Sequence, residues 1–285
     1  MAFLDHIAAC NHHDLTKFLP FVVADSQVGW IRHDVARRLA AFPEAFRVIR
    51  RQRVELHPAL TTPDLRSTMV DAVAAELSRD WGTPRLRGER YRVVRRFGDA
   101  PLMSVDRGVV SLFGIRAFGV HVNGLVRRPD GLHLWIGRRA ADKSVAPGKL
   151  DNMVAGGQPA HLSLRANLLK EAAEEADIAP ELAATARPVG VITYCMEDEW
   201  GLKPDAMYCY DLELSARVTP RNTDGELSGF TLMPVAEVAA RVRDTDHFKF
   251  NVNLVIMDFL IRHGLLSPDS EPDYLEIATG LRQGR

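Results

Sequence analysis

The sequence predicts an α/β (α+β) protein in two units, a smaller α+β unit over residues 1–113 and a larger one over residues 114–285. Three observations carry this reading. Helical and alternating hydrophobic patterns are mixed up to about residue 107, strand-like patterns dominate from Gly114 onward, and 285 residues suit one large or two modest domains.

In the first unit, strand patterns cover residues 21–23, 46–54 and 91–97, and a helical period covers residues 35–41 and 65–77. Thr61-Thr62-Pro63 supplies a start signal for the second of these helices, and Trp81-Gly82-Thr83-Pro84 closes it. This unit carries no dense set of acids, no Gly-rich phosphate loop and no nucleophile motif. In the second unit, strands are expected over residues 118–126 and 133–136, followed by a turn at Gly156-Gly157 and a glutamate-rich helix. Further strands are expected over residues 189–196, 206–214 and 230–232, and a last helix over residues 251–262 stops before Gly264.

With 46 % hydrophobic and 26 % charged residues, the chain has the composition of a soluble globular protein with a sizeable core. A formal net charge of -1 gives no general attraction to nucleic acid or anionic membrane, and the basic run at residues 47–53 reads as solvated surface. No segment approaches the ~18 apolar residues of a membrane span, and Met1-Ala2-Phe3-Leu4-Asp5-His6 lacks the pattern of a signal peptide. Cys10, Cys195 and Cys209 are too few for a disulfide framework, so a reducing compartment, the cytoplasm, is expected. Cys195 and Cys209 lie in apolar stretches and read as small core residues. Cys10, His12 and His13 lack the second ligand pair that zinc requires.

The glutamate-rich helix carries the chemistry. Glu171, Glu174 and Glu175 stand at i, i+3 and i+4, so their side chains fall within one sector, where like charges repel by about a few tenths of a kcal/mol per pair. Leu169, Ala172, Ala173 and Ala176 form an apolar stripe expected on the opposite side. A hard divalent cation such as Mg²⁺ would turn that repulsion into binding, because it takes oxygen ligands and shares them with substrate phosphates.

Gly156-Gly157-Gln158-Pro159 and the later Lys170-Glu171-Ala172-Ala173-Glu174-Glu175-Ala176-Asp177-Ile178 resemble the Nudix box, G-x5-E-x7-R-E-U-x-E-E-x-G-U with U apolar. Gly156, Glu171, Ala172, Glu174, Glu175 and Ile178 agree with it, and Lys170 stands at the arginine position. Leu162 and Asp177 depart from it. Asp enters the left-handed region that a helix C-terminus wants, whereas a leucine at the early glutamate position can neither bind a cation nor orient water. Further stretches, among them Gly119-Val120-His121-Val122-Asn123-Gly124, Pro147-Gly148-Lys149-Leu150-Asp151-Asn152 and Phe248-Lys249-Phe250-Asn251, extend the resemblance over nearly the whole chain. It is to the Nudix proteins related to thiamin pyrophosphokinase, which carry an extra N-terminal domain.

That resemblance implies a Nudix α/β/α sandwich with a mixed sheet, Mg²⁺ (or Mn²⁺) as cofactor and a small-molecule diphosphate as ligand; monomer and homodimer both stay open. The implied activity is hydrolysis of thiamin diphosphate-like compounds, especially oxidised forms, to monophosphates. ADP-ribose or another nucleoside diphosphate derivative is the alternative substrate, and a catalytically silent binder the alternative role. Glu174 and Glu175 are the first-choice metal ligands, with Glu171 and the Gly156 carbonyl beside them, and Lys170 would orient Glu174. A further acid is expected outside the box. Glu226 is chosen for it, over Glu197, Asp198 and Glu199.

Arg138, Arg139 and Lys143 follow a strand and precede the Gly-Gly turn, so each is open to phosphate contact or to a salt bridge. Trp135, Trp200 and Phe248 offer rings for stacking but are more often core residues, and Lys249 and Asn251 offer polar contacts. His121 and Asn123 are expected to make structural hydrogen bonds.

Overall fold

The computed structural model describes residues 2–81 and 85–284; the stop signal Gly82-Thr83-Pro84 lies outside the described residues. The chain opens with α1 (Phe3–Cys10) and continues through β1 (Phe18–Val23), β2 (Ser26–Arg32), α2 (His33–Leu39), β3 (Phe46–Ile49), β4 (Arg53–Leu56) and α3 (Pro63–Trp81). A two-stranded hairpin of β5 (Arg90–Val93) and β6 (Met103–Asp106) follows. The first sheet runs β2-β1-β4-β3, parallel only between β1 and β4. Its inward residues Phe21 and Phe46 stack on Phe113, with ring centroids 5.6 and 6.0 Å away. Residues 46–54 form a hairpin rather than one strand, because Arg51 takes a left-handed φ of 57°. The basic run therefore decorates an exposed turn.

The second unit contains β7 (Phe118–Arg128), β8 (Gly131–Arg139), β9 (Leu150–Asp151), β10 (Val154–Gly157), α4 (Leu164–Ala176) and α5 (Pro180–Ala183). It ends with β11 (Arg187–Glu197), β12 (Leu202–Glu213), β13 (Leu227–Pro234), α6 (Val235–Asp244), α7 (Phe250–Arg262) and α8 (Tyr274–Gly280). Its sheet runs β11-β12-β7-β8-β13, with β10 against β7 and β9 against β8. Only β12 and β7 are parallel, so the sheet is mixed. Side chains alternate across it. Val120, Val122 and Leu212 pack under α4, while Leu125, Leu134, Ile136 and Ile192 pack under α6, α7 and α8. The result is the helix-sheet-helix sandwich that the sequence led us to expect.

α7 is buried continuously from Asn251 to Leu260, as a helix enclosed on all sides must be. Part of its cover is α1, whose Phe3, Ile7 and Cys10 join the core of the second unit although α1 falls within residues 1–113. All three cysteines are buried, and burial pushes the Cys10 thiol up to about 12.

Below β7 a chain of buried polar groups crosses the sheet. Asn152 donates to Asn123 Oδ1 at 2.9 Å and Asn123 donates to Asp211 at 3.0 Å, which leaves Asn152 Oδ1 facing His121 Nδ1 at 2.9 Å. Asp211 then binds Arg262, which also holds Asp258. His121 and Asn123 are thus structural, as expected. Burial, then the nearby Lys249 charge, lower the His121 pKa from 6.5 to about 4. Between those values the unfolded chain binds the proton that the native protein refuses, so His121 stability is full above pH 6.5 and lost as pH falls toward 4. The loss amounts to about 3 kcal/mol. His121→Gln should flatten the urea-midpoint profile across this window, and a profile parallel to wild type refutes the assignment.

Candidate active site

The site is built where β7 and β8 diverge and β10 inserts against β7, pairing Gly156 with Val120 and Gly157 with Gly119. From β10 the chain loops over to α4, whose first turn is capped by Ser163 Oγ accepting from Ala166 N. Asp177 closes the helix in the left-handed region, at φ 54° and ψ 37°. Its tolerance at that position follows.

α4 is rotated from the expected stripe. Its buried residues are Asn167, Leu168, Ala172, Glu175 and Ala176, while Ala173 is exposed. Glycines make room for this rotation: a Cβ on Gly156 would stand 2.4 Å from the Glu171 carboxyl carbon. Glu171 therefore lies directly on the strand. Glu175 is only 5 % exposed, and its Oε2 accepts from Ala155 N at 2.8 Å. Glu174 points outward, 48 % exposed, 2.6 Å from the Lys170 ammonium, which also reaches Glu171 at 3.3 Å.

The electrostatics follow from burial. Desolvation raises the Glu171 carboxyl, against the pull of Lys170, and raises Glu175 well above the ordinary range despite the Ala155 amide. Glu171, Asp151 and Glu226 add repulsion at Glu175, so Glu226 lies in the field of this acidic centre. Burial would raise Glu226 too, but the Lys143 ammonium 2.7 Å away outweighs it and holds the carboxyl low. The rivals lie elsewhere. Glu197 accepts from Asp14 N and pairs with Lys17, Asp198 caps the turn at Trp200 and Gly201, and the Glu199 carbonyl holds Arg32.

Two expected phosphate ligands are corrected. Arg139 is 8 % exposed and locked, with Nη1 on Asp151 at 2.8 Å and other donors on the Val145 and Ala146 carbonyls. Arg138, one residue earlier on β8, points to the opposite face by strand alternation. It donates to the Gly148 carbonyl and lines a cavity of about 330 Å³ with Lys149, Arg241 and Asp246. Lys143 alone stays at the centre, committed to Glu226. Phe248 is core, as expected, and Trp135 packs on the α4 side. Lys249 lies 3.7 Å from Asp151, and Asn251 donates to Met207 Sδ.

Asp151 was missed, because nothing local in Lys149-Leu150-Asp151 distinguishes it from a surface acid; only the pairing of β9 with β8 places it beside Arg139. Asn167 was missed too. Its Nδ2 holds the Gly157 carbonyl at 2.8 Å, and a polar residue in the buried stripe of α4 was the available signal.

Among the described residues, no three His, Cys, Asp or Glu side chains converge closely enough to hold an ion as they stand. The donor chemistry nevertheless fits a hard cation. The carboxylates are desolvated, mutually repelling and satisfied only in part, by Lys170 and one amide. Glu171, Glu174 and Glu175, with the Gly156 carbonyl, are the groups that would hold Mg²⁺.

Comparison with known proteins decides the family. The chain is 40 % identical over 285 residues to Nudix hydrolase 24, chloroplastic, of Arabidopsis thaliana, covering 99 % of this chain and 78 % of that protein. It is 39 % identical to Nudix hydrolase 20, chloroplastic, of the same plant, covering 98 % and 77 %. The chain belongs to the Nudix hydrolase family. It is thereby a pyrophosphohydrolase, and the box resemblance read from Gly156 and Glu171 is membership. Residues 2–117 of this Nudix hydrolase match a family described as a domain of unknown function, DUF4743. Among solved structures, DR0079 from Deinococcus radiodurans is 23 % identical with a TM-score of 0.45, covering 59 % of this chain and 97 % of that one.

The Nudix site also makes a sharp prediction at Gly156. Gly156→Ala should push the Glu171 side chain off the strand, because the new Cβ would stand 2.4 Å from its carboxyl carbon and 2.5 Å from its Cγ. Turnover should fall by roughly tenfold or more, since a misplacement near 1 Å can cost that much. An unchanged kcat, with circular dichroism confirming the fold, rules out Glu171 as a working residue.

Proposed function

We propose that this Nudix hydrolase is a Mg²⁺-dependent diphosphatase that cleaves thiamin diphosphate-like compounds, oxidised forms above all, to monophosphates. The observation that carries the reaction is the pair Glu171 and Glu175, one turn apart on α4 and set against β10, Glu171 at Gly156 and the buried Glu175 at Ala155 N. A diphosphate resists hydrolysis because its anionic phosphoryl groups repel a nucleophile, so charge must be neutralised and a water positioned. Bound Mg²⁺ would supply the neutralising charge and activate water. Glu226, in the field of the centre and held ionised by Lys143, is suited to take the proton from water as its oxygen adds to phosphorus and the bridging P–O bond breaks. Support for the thiamin class comes from the sequence stretches around Gly119, Pro147 and Phe248.

A catalytically silent binding role is the second reading, favoured by Leu162, which stands where the box has a cation-supporting glutamate. One assay separates the readings. The pure protein with Mg²⁺ is incubated with oxidised thiamin diphosphates, thiamin diphosphate and ADP-ribose, and the phosphorylated products are identified. Thiamin-type monophosphates support the proposal, AMP points to a nucleotide substrate, and binding without any product supports the silent role.

A further inference from the structure

The first unit carries no reaction motif, yet it closes over the acidic centre. β5 runs beside the loop from β10 to α4: Ala160 N donates to the Arg90 carbonyl at 2.7 Å, and Arg92 donates to the carbonyls of Ala160 and Leu162 at 2.5 and 3.0 Å. Between these two arginines, Tyr91 lays its hydroxyl over Gly157, where a Cβ would stand 1.7 Å from it. Arg107, directly after β6, holds its guanidinium 5.8 Å from the Tyr91 ring and pairs with Glu89 at 2.9 Å. From that perch it lies in the field of Glu226. Arg87 donates to Ser144 Oγ at 3.3 Å, the residue after the Lys143 that binds Glu226. Two guanidinium groups from the first unit thus stand on this side of the site, one over Tyr91 and one on Ser144.

A diphosphate needs such groups here. The expected cations are unavailable, since Arg138 faces the other side of the sheet, Arg139 is locked on Asp151 and Lys143 is committed to Glu226. Arg107 has a 53 % exposed side chain, and its bond to Glu89 is an exposed ion pair of little worth. It can exchange that carboxylate for a phosphate, which its planar fork matches with two parallel hydrogen bonds. We propose that Arg107, assisted by Arg87, binds the diphosphate group of the substrate, so that the first unit forms a working wall of the hydrolase site. This rests on the reading that the centre accepts diphosphates.

The test is binding of inorganic pyrophosphate to the full chain by calorimetry, with and without Mg²⁺, alongside steady-state kinetics on the substrate panel. Arg107→Ala should weaken pyrophosphate binding roughly 10- to 100-fold and raise KM by a similar factor. Arg107→Lys should recover part of both, and Arg87→Ala should lose less. Glu89→Gln, which breaks the ion pair but keeps the cation, should bind at least as tightly as wild type. If Arg107→Ala binds within twofold of wild type, or Glu89→Gln weakens binding as much as Arg107→Ala does, the proposal is overturned. Pyrophosphate binding that depends on Arg107 without turnover of any diphosphate would sink the catalytic reading and leave this one standing. A wild-type protein that does not bind pyrophosphate overturns the anion site regardless of turnover.

Discussion

Glu175→Gln should lower kcat by about 10²–10⁴-fold at saturating Mg²⁺, the range expected when a group acting on water or its activating ion is removed. The substitution is conservative in shape. Glutamine keeps an oxygen to accept from Ala155 N and fills the same space under α4, so the loop from β10 should stay where it is. What disappears is a desolvated ionisable carboxyl. A carboxyl raised in the native state is destabilising once pH exceeds its unfolded value, because the native protein then holds a proton that the unfolded chain releases. Without metal, the variant should therefore melt at or above the wild-type temperature at neutral pH, while losing turnover. Loss of activity together with loss of stability would mean a structural role, and kcat within threefold of wild type would remove Glu175 from the reaction.

Arg139→Ala should do the opposite, lowering stability by about 3–5 kcal/mol, the usual consequence of stripping one partner from a buried ion pair. Asp151 would retain Lys249 at 3.7 Å and its own bond to Asn152 N, but it would lose its closest counter-charge, and the Val145 and Ala146 carbonyls would lose their donor. Asp151→Asn added to Arg139→Ala should cost little more than Arg139→Ala alone, since the two residues act as one unit. Urea titration reads the effect. A phosphate-binding arginine would instead show a raised KM with unchanged stability, and that outcome would restore the expectation drawn from the sequence.

What could be read from the sequence was local. The spacing of Glu171, Glu174 and Glu175, and a helix end that Asp177 can turn, are properties of neighbouring residues, and the structure keeps both. The orientation of α4 was not readable, because Gly156 and Gly157 permit an acid to enter the buried side and no helical periodicity reports what lies across the gap. Arg138 and Arg139 looked equivalent. Which of them faces the acids depends on the register of β8 with β9 and β13, a long-range property. The hairpin at Arg51 escaped notice because the turn uses a left-handed arginine where glycine or asparagine would have signalled it. Tyr91 and Arg92 reach Gly157 and the loop after it from more than sixty residues away, and nothing in their own neighbourhood marks them.

The placement of α1 sets a timetable for biosynthesis. Phe3, Ile7 and Cys10 are synthesised some 240 residues before the α7 and α8 surfaces that cover them. At translation speeds of about 5–20 residues per second, this greasy helix waits roughly 10–50 s for its berth. Until then its apolar face has no partner, so docking of α1 waits on the synthesis of α7 and α8.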